Sequence, residues 1–217
     1  MSFYEELQQA TIAERNALLS VPIIGRALQG KVTLGEYLAF LTQAYHHVKH
    51  TSPLLMTCGG RVPESHEWIR EALAHYIEEE VGHQEWILND IKACGGDAEA
   101  ARRSQPNMHT ELMVSYAYDT IMRNNPCGFF GMVFVLEGTS VQLATHAAGQ
   151  IEQALGLPKS AFSYLTSHGS LDLEHIDFFE SVVNRLTAEE DKQAVIHCAK
   201  VFFHLYANIF RSLEPAA

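Results

Sequence analysis

Two imidazoles and a carboxylate, His168, Asp172 and His175, stand at offsets of four and three in the stretch Phe162 to Glu180. On a helix of about 3.6 residues per turn this spacing places all three on one face. Such a face is half of a metal site, or a buried hydrogen-bonded cluster with no chemistry of its own. A further donor is Glu137, which follows Phe129, Phe130 and the apolar run Met132 to Leu136, with no Lys or Arg until Lys159. An ionised carboxylate in such surroundings is costly unless a cation or strong donors compensate it. The alternatives to ligation are a protonated Glu bonded to a backbone carbonyl, or a Glu paired with an Arg from another helix. A third stretch, HYIEEEVGHQEW, sets Glu79 and Glu80 four and three residues before His83. Glu-x-x-His is the spacing by which helical bundles present a carboxylate and an imidazole to a paired-metal site. Three consecutive acids are also the ordinary mark of a solvated helix face.

Taken together, Glu80, His83, Glu137, His168, Asp172 and His175 offer three carboxylates and three imidazoles. Hard oxygen donors mixed with imidazole suit a pair of first-row metals, iron or manganese, rather than a thiolate-loving ion. Gly82 and Gly138 stand beside two of these positions, where a missing side chain leaves room for metal or substrate. A helical Gly costs about 1 kcal/mol against Ala, so each needs a reason; helix packing is the plain one for Gly138. The substrate side is expected along QAYHHVKHTSPLL, with Tyr45, His47 and His50 as pocket residues and Tyr76 beside them. His47 and His50 would act as acid–base groups or carboxylate binders, or else be solvated or bonded to neighbouring helices. Lys49 is a further pocket candidate. His66, His109, His146, His197 and His204 receive no chemistry, and Phe202, Phe203, Tyr206 and Phe210 read as core.

The elements that must position these residues are helical throughout, with apolar residues recurring at three and four. Ser2 to about Leu19 predicts a first helix, interrupted by Pro22 and the Gly25 to Gly30 region. A T-x-x-E capping box, Thr33 with Glu36, opens a long helix running to Cys58 and ended by Gly59 and Gly60. Pro63 and Ser65 introduce another, from Glu67 to Cys94, stopped by Gly95 and Gly96. A short segment precedes Pro106, then come helices over HTELMVSYAYDTIMR and, past the NNPCG turn, over FFGMVFVLEGTSVQLATHAAGQIEQAL. Pro158 and Gly169 punctuate the stretch bearing His168, and a second box, Thr187 with Glu190, begins a final helix to about Leu213. The expectation is an all-α bundle of seven to eight helices forming a single domain over residues 1–217.

Composition bounds the function. The 217 residues are 47% hydrophobic, enough for one sizeable core, and carry 15 Lys and Arg against 26 Asp and Glu, a balance of −11. This charge disfavours nucleic acid and anionic membrane as partners. No window is expected to reach the length and apolarity of a membrane span, and the N-terminal residues do not resemble a signal peptide. Cys58, Cys94, Cys127 and Cys198 lie far apart with no CxxC pair, the pattern of reduced thiols in a cytoplasmic protein.

Three of these stretches, EEEVGHQEWILNDIKACGG, FVLEGTS and SHGSLDLEHIDFF, resemble the haem-oxygenase-like superfamily that includes TenA, the PQQ-synthesis oxidase and the haem-oxygenase-like diiron oxidases. The similarity spans roughly Leu34 to Leu186, and H-x3-D-x2-H matches the diiron oxidases in full. The resemblance implies a bundle of about seven helices around an internal pocket, with two irons per chain held by Glu80, His83, Glu137, His168, Asp172 and His175. It also implies activation of O2 to oxidise a small molecule such as an amino acid or fatty acid, with an electron donor the sequence does not name, in a homodimer. Several members take the first carboxylate seven residues before the histidine. That position is Tyr76 here, so the ligand falls to Glu80 or Glu79. Two other readings remain: a TenA-like metal-free thiaminase acting on an aminopyrimidine through Cys127, whose thiol a helix N-terminus would acidify, and a non-enzymatic binding or regulatory protein.

Overall fold

The structure, a computed structural model, describes the backbone of residues 1–213 and the side chains of these except 168–174. Twelve α-helices follow one another: α1 Phe3–Ala10, α2 Ile12–Leu19, α3 Pro22–Ala27, α4 Leu34–Val48, α5 Thr51–Arg61, α6 Glu67–Glu80, α7 His83–Ala93, α8 Ala98–Arg103, α9 Met108–Arg123, α10 Phe130–Leu155, α11 Ser163–Val183 and α12 Glu189–Arg211. Three short 3-10 turns, Glu64–His66, Pro126–Phe129 and Lys159–Ala161, lead into α6, α10 and α11, and no strand occurs among the described residues.

The count exceeds seven to eight because three expected helices are broken and because Pro22–Ala27, expected as an interruption, forms the short helix α3. The first breaks at Thr11, whose hydroxyl turns back to donate to the Leu7 carbonyl at 2.7 Å. The second breaks at Lys49 and His50: Pro53, in the first turn of α5, has no N–H for the Lys49 carbonyl and its ring crowds that carbonyl. The third breaks at Gly82, whose φ of +98° only glycine adopts without strain. Gly59 and Gly60 do not end α5, which continues to Arg61; Val62 is extended, as the residue before Pro63 must be. Gly169 does not interrupt α11. Gly95 does end α7 with a left-handed φ of +79°.

The Thr33–Glu36 capping box forms, each side chain meeting the other's backbone N–H. The Thr187–Glu190 box does not. The N-cap of α12 is Ala188, which leaves Thr187 one position too early to cap.

The most apolar helix, α10, packs along α11 and α12, while α4 lies against α7 and α9 and α5 against α6. Gly131 allows the closest of these approaches. A Cβ there would stand 2.5 Å from the Ala199 backbone nitrogen of α12. The segment Pro126–Leu155 is long and apolar enough to cross a membrane, contrary to expectation, with 56% of its most apolar window buried inside the fold. Its apolarity has two local uses: packing on α11 and α12, and walling an internal cavity.

Candidate metal centre

The cavity, about 180 Å³, runs beside α10. Its α10 wall extends from Met132 to Ile151, which at 1.5 Å per residue is about 28 Å along the axis. Leucine, isoleucine, alanine and phenylalanine line most of it. Four carboxylate or imidazole groups intrude on this apolar lining: Glu36 and His47 from α4, Glu80 from α6 and Glu137 from α10.

Glu80 ends α6 and His83 begins α7, on either side of the Gly82 turn. Both are buried, with His83 Nδ1 3.0 Å from Glu80 Oε2. His175 of α11 is only 4% exposed and lies between two carboxylates, Nε2 being 2.8 Å from Glu79 Oε2 and Nδ1 3.8 Å from Glu137 Oε1. The Tyr76 ring meets His175 edge-on at 6.0 Å and Phe178 at 5.2 Å, which fixes the plane of the imidazole. Three long-range hydrogen bonds anchor α11 to α7. Asp90, fully buried, accepts the Ser163 and Tyr164 backbone N–H groups at 3.0 and 2.9 Å, and the Ser163 hydroxyl as well.

Of the six expected ligands, His168 and Asp172 lie outside the described side chains. The other four form two pairs, Glu80 with His83 and Glu137 with His175, of which the two carboxylates line the cavity and the two imidazoles do not. Glu79, outside the cavity lining, is the closest carboxylate to His175 among the described residues. The ion pairs that Glu79, Glu80 and Glu137 make among the described residues are all with histidines. Carboxylates gathered in a half-dry site with imidazole as their company form a donor set that fits a hard first-row cation such as iron or manganese.

Of the four expected pocket residues, His47 and Tyr76 line the cavity and Tyr45 and His50 do not. Tyr45 lies on another face of α4, against His46 and beneath the Lys49 ammonium. His50 falls past the end of α4, where its Nδ1 meets the Tyr118 hydroxyl at 3.1 Å; burial and the Lys49 charge push its pKa down. Tyr206 and Phe210, expected as core, line the cavity, whereas Phe202 and Phe203 are core. A methyl group at Gly138 would meet no neighbouring atom within 4 Å, so helix packing does not explain this glycine. Cys127 is buried, lies outside the cavity lining, and has its thiol pKa pushed up by burial and by the nearby Asp191; the helix terminus does not acidify it.

An all-α bundle with an internal cavity walled by α4, α6, α10 and the last helix is a haem-oxygenase-like fold, and solved structures agree. A Shewanella denitrificans OS217 domain of unknown function with a haem oxygenase-like fold matches at a TM-score of 0.87 and 23% identity, over 98% of this chain and 92% of that one. A TenA homologue from P. horikoshii OT3 matches at 0.80 and 9% identity over 98% of each chain. The haem oxygenase of Leptospira interrogans matches at 0.75 and 17% identity, over 98% of this chain and all of that one. Within this fold the chain belongs to the iron-containing redox enzyme family, which it matches over residues 38–207. No curated protein sequence matches it.

Proposed function

We propose that the protein is an iron-dependent oxidase or oxygenase that activates O2 at a dinuclear Glu/His/Asp site and oxidises a small amphiphilic substrate, amino-acid-like or fatty-acid-like. The observation that carries this reading is the entry of Glu80 and Glu137, two carboxylates, into the lining of one otherwise apolar cavity. Glu80, His83, Glu137 and His175 would hold the metal, with His168 and Asp172 completing the set that the sequence spacing sets out. Glu79 is an alternative to Glu80 as the α6 ligand. Iron held there would supply electrons for the reduction of dioxygen, to be replenished by an external donor.

The chain's own contributions are orientation and exclusion of water. Tyr76 holds the His175 ring in plane, and Asp90 holds the helix that bears it. The apolar wall from Leu143 to Ile151 suits a hydrocarbon portion lying along α10 with its polar end toward Glu80 and Glu137. His47, in edge contact with Tyr206 at 6.0 Å, is placed to exchange a hydrogen bond with that polar end.

The test is anaerobic loading with ferrous iron, then measurement of iron per chain and of O2 uptake on mixing with air. About two irons per chain are expected, with most lost in His175→Ala and in Glu137→Ala and O2 uptake lost with them. A wild-type protein that binds no iron, or variants that keep both iron and uptake, would overturn the reading.

A further inference from the structure

A second group of ligating side chains lies outside the cavity, where three chain segments meet. His66 ends the 3-10 turn before α6, Cys127 sits in the turn before α10, and Asp191 is in the first turn of α12. One donor atom from each lies within 4.8 Å of the other two. His66 Nε2 is 2.8 Å from Asp191 Oδ2, while Asn125 Nδ2 donates to Asp191 Oδ1 at 2.7 Å. Asn125 Oδ1 accepts the Cys127 backbone N–H at 2.9 Å, so one amide fixes both the carboxylate and the thiol-bearing turn. Cys127 and Asp191 are buried, and His66 is half-buried, which leaves an approach from solvent on the imidazole side.

We propose that His66, Cys127 and Asp191 form a binding site for a thiolate-preferring divalent cation of the zinc type, separate from the cavity and its iron chemistry. Sulfur, imidazole nitrogen and one carboxylate oxygen are three of the four donors such an ion takes, the fourth being water from the His66 side. A thiolate and a carboxylate cancel the charge of a divalent ion, so the burial of Cys127 and Asp191 favours the neutral complex over either anion alone. The sulfur separates this site from the hard donors of the cavity, whose described lining contains no cysteine.

Binding requires two proton adjustments, and the surroundings accommodate both. The Cys127 thiol releases its proton to solvent as sulfur binds the cation. The His66 proton moves from Nε2 to Nδ1, where the Ser65 hydroxyl at 2.9 Å can accept it as readily as it donates. Loading should therefore weaken as pH falls, because protons compete for the sulfur.

Cobalt(II) tests the site, because a cobalt–thiolate bond absorbs in the near ultraviolet and cobalt on histidine and carboxylate alone does not. Metal-stripped protein titrated with cobalt(II) should develop this sulfur-to-cobalt band, complete by about three equivalents because the two cavity positions also take cobalt, and zinc(II) should abolish it. Cys127→Ser should lose the band and His66→Gln and Asp191→Asn should reduce it, whereas Cys58→Ser should retain it. No band in the wild type, a band that needs many equivalents, or one that survives Cys127→Ser would overturn the proposal. The wild-type titration decides even where a variant fails to fold, and iron loading of the cavity is measured independently.

Discussion

Glu36 joins helix start, ion pair and cavity wall in a single side chain. It accepts from the Arg26 guanidinium at 2.7 Å and from the Thr33 backbone N–H at 2.7 Å, and chiefly the Arg26 bond brings its pKa from 4.5 down to about 2. A carboxyl whose folded pKa is depressed contributes stability that is full above its unfolded value and is lost as pH falls through the folded one. Glu36→Gln should therefore lower stability at neutral pH by on the order of 1 kcal/mol, with the difference from the parent closing between about pH 4.5 and pH 2. Denaturant melts across that range check it. At this scale much of the candidate site was legible. Glu-x-x-His placed Glu80 beside His83, and the isolation of Glu137 among apolar neighbours marked it as a lining carboxylate. Tyr45 misses the cavity because it sits on another face of α4, and His50 because α4 and α5 are not one continuous helix. The break that Pro53 imposes ends α4 at Val48, so His50 turns to Tyr118 instead. The pairing of His66 with Asp191 joins residues 125 apart in sequence and leaves no local spacing to read.

Among the elements, α7 and α11 carry proposed ligands and are tied by Asp90. Asp90→Ala removes the acceptor for two backbone N–H groups and should cost about 1–2 kcal/mol, the value of a lost cap. Because α11 would shift against α7, iron bound per folded chain should fall as well, and Asp90→Asn should restore part of both; thermal melts paired with metal analysis measure this. Gly131 is the tighter constraint. Gly131→Val drives a side chain into the α12 backbone, and chemical denaturation should show a loss of about 1–3 kcal/mol or more. Helix existence was readable from the recurrence of apolar residues, and the Gly95 stop and the Thr33–Glu36 start were readable from local chemistry. The failure of Thr187 to cap was not, since the start of α12 is displaced by one residue in its tertiary setting.

For the whole molecule, the all-α class followed from periodicity, whereas the cavity did not. Leu143, Ala147 and Ile151 look like any core stripe, and only the packing of α3, α4 and α10 leaves space between them. Filling that space should separate metal loading from substrate choice: Ala147→Phe should keep the iron of the parent while oxidation of long-chain fatty-acid-like substrates falls by at least tenfold, about 1.4 kcal/mol in barrier. Product analysis over a series of chain lengths reads the effect. The central claim is that the buried carboxylates and histidines hold two irons side by side. Mössbauer spectroscopy of protein loaded with isotope-enriched ferrous iron and then exposed to air tests it most directly. A spin-coupled diferric spectrum that disappears in His175→Ala is predicted; magnetically isolated iron, or no protein-bound iron, would contradict it.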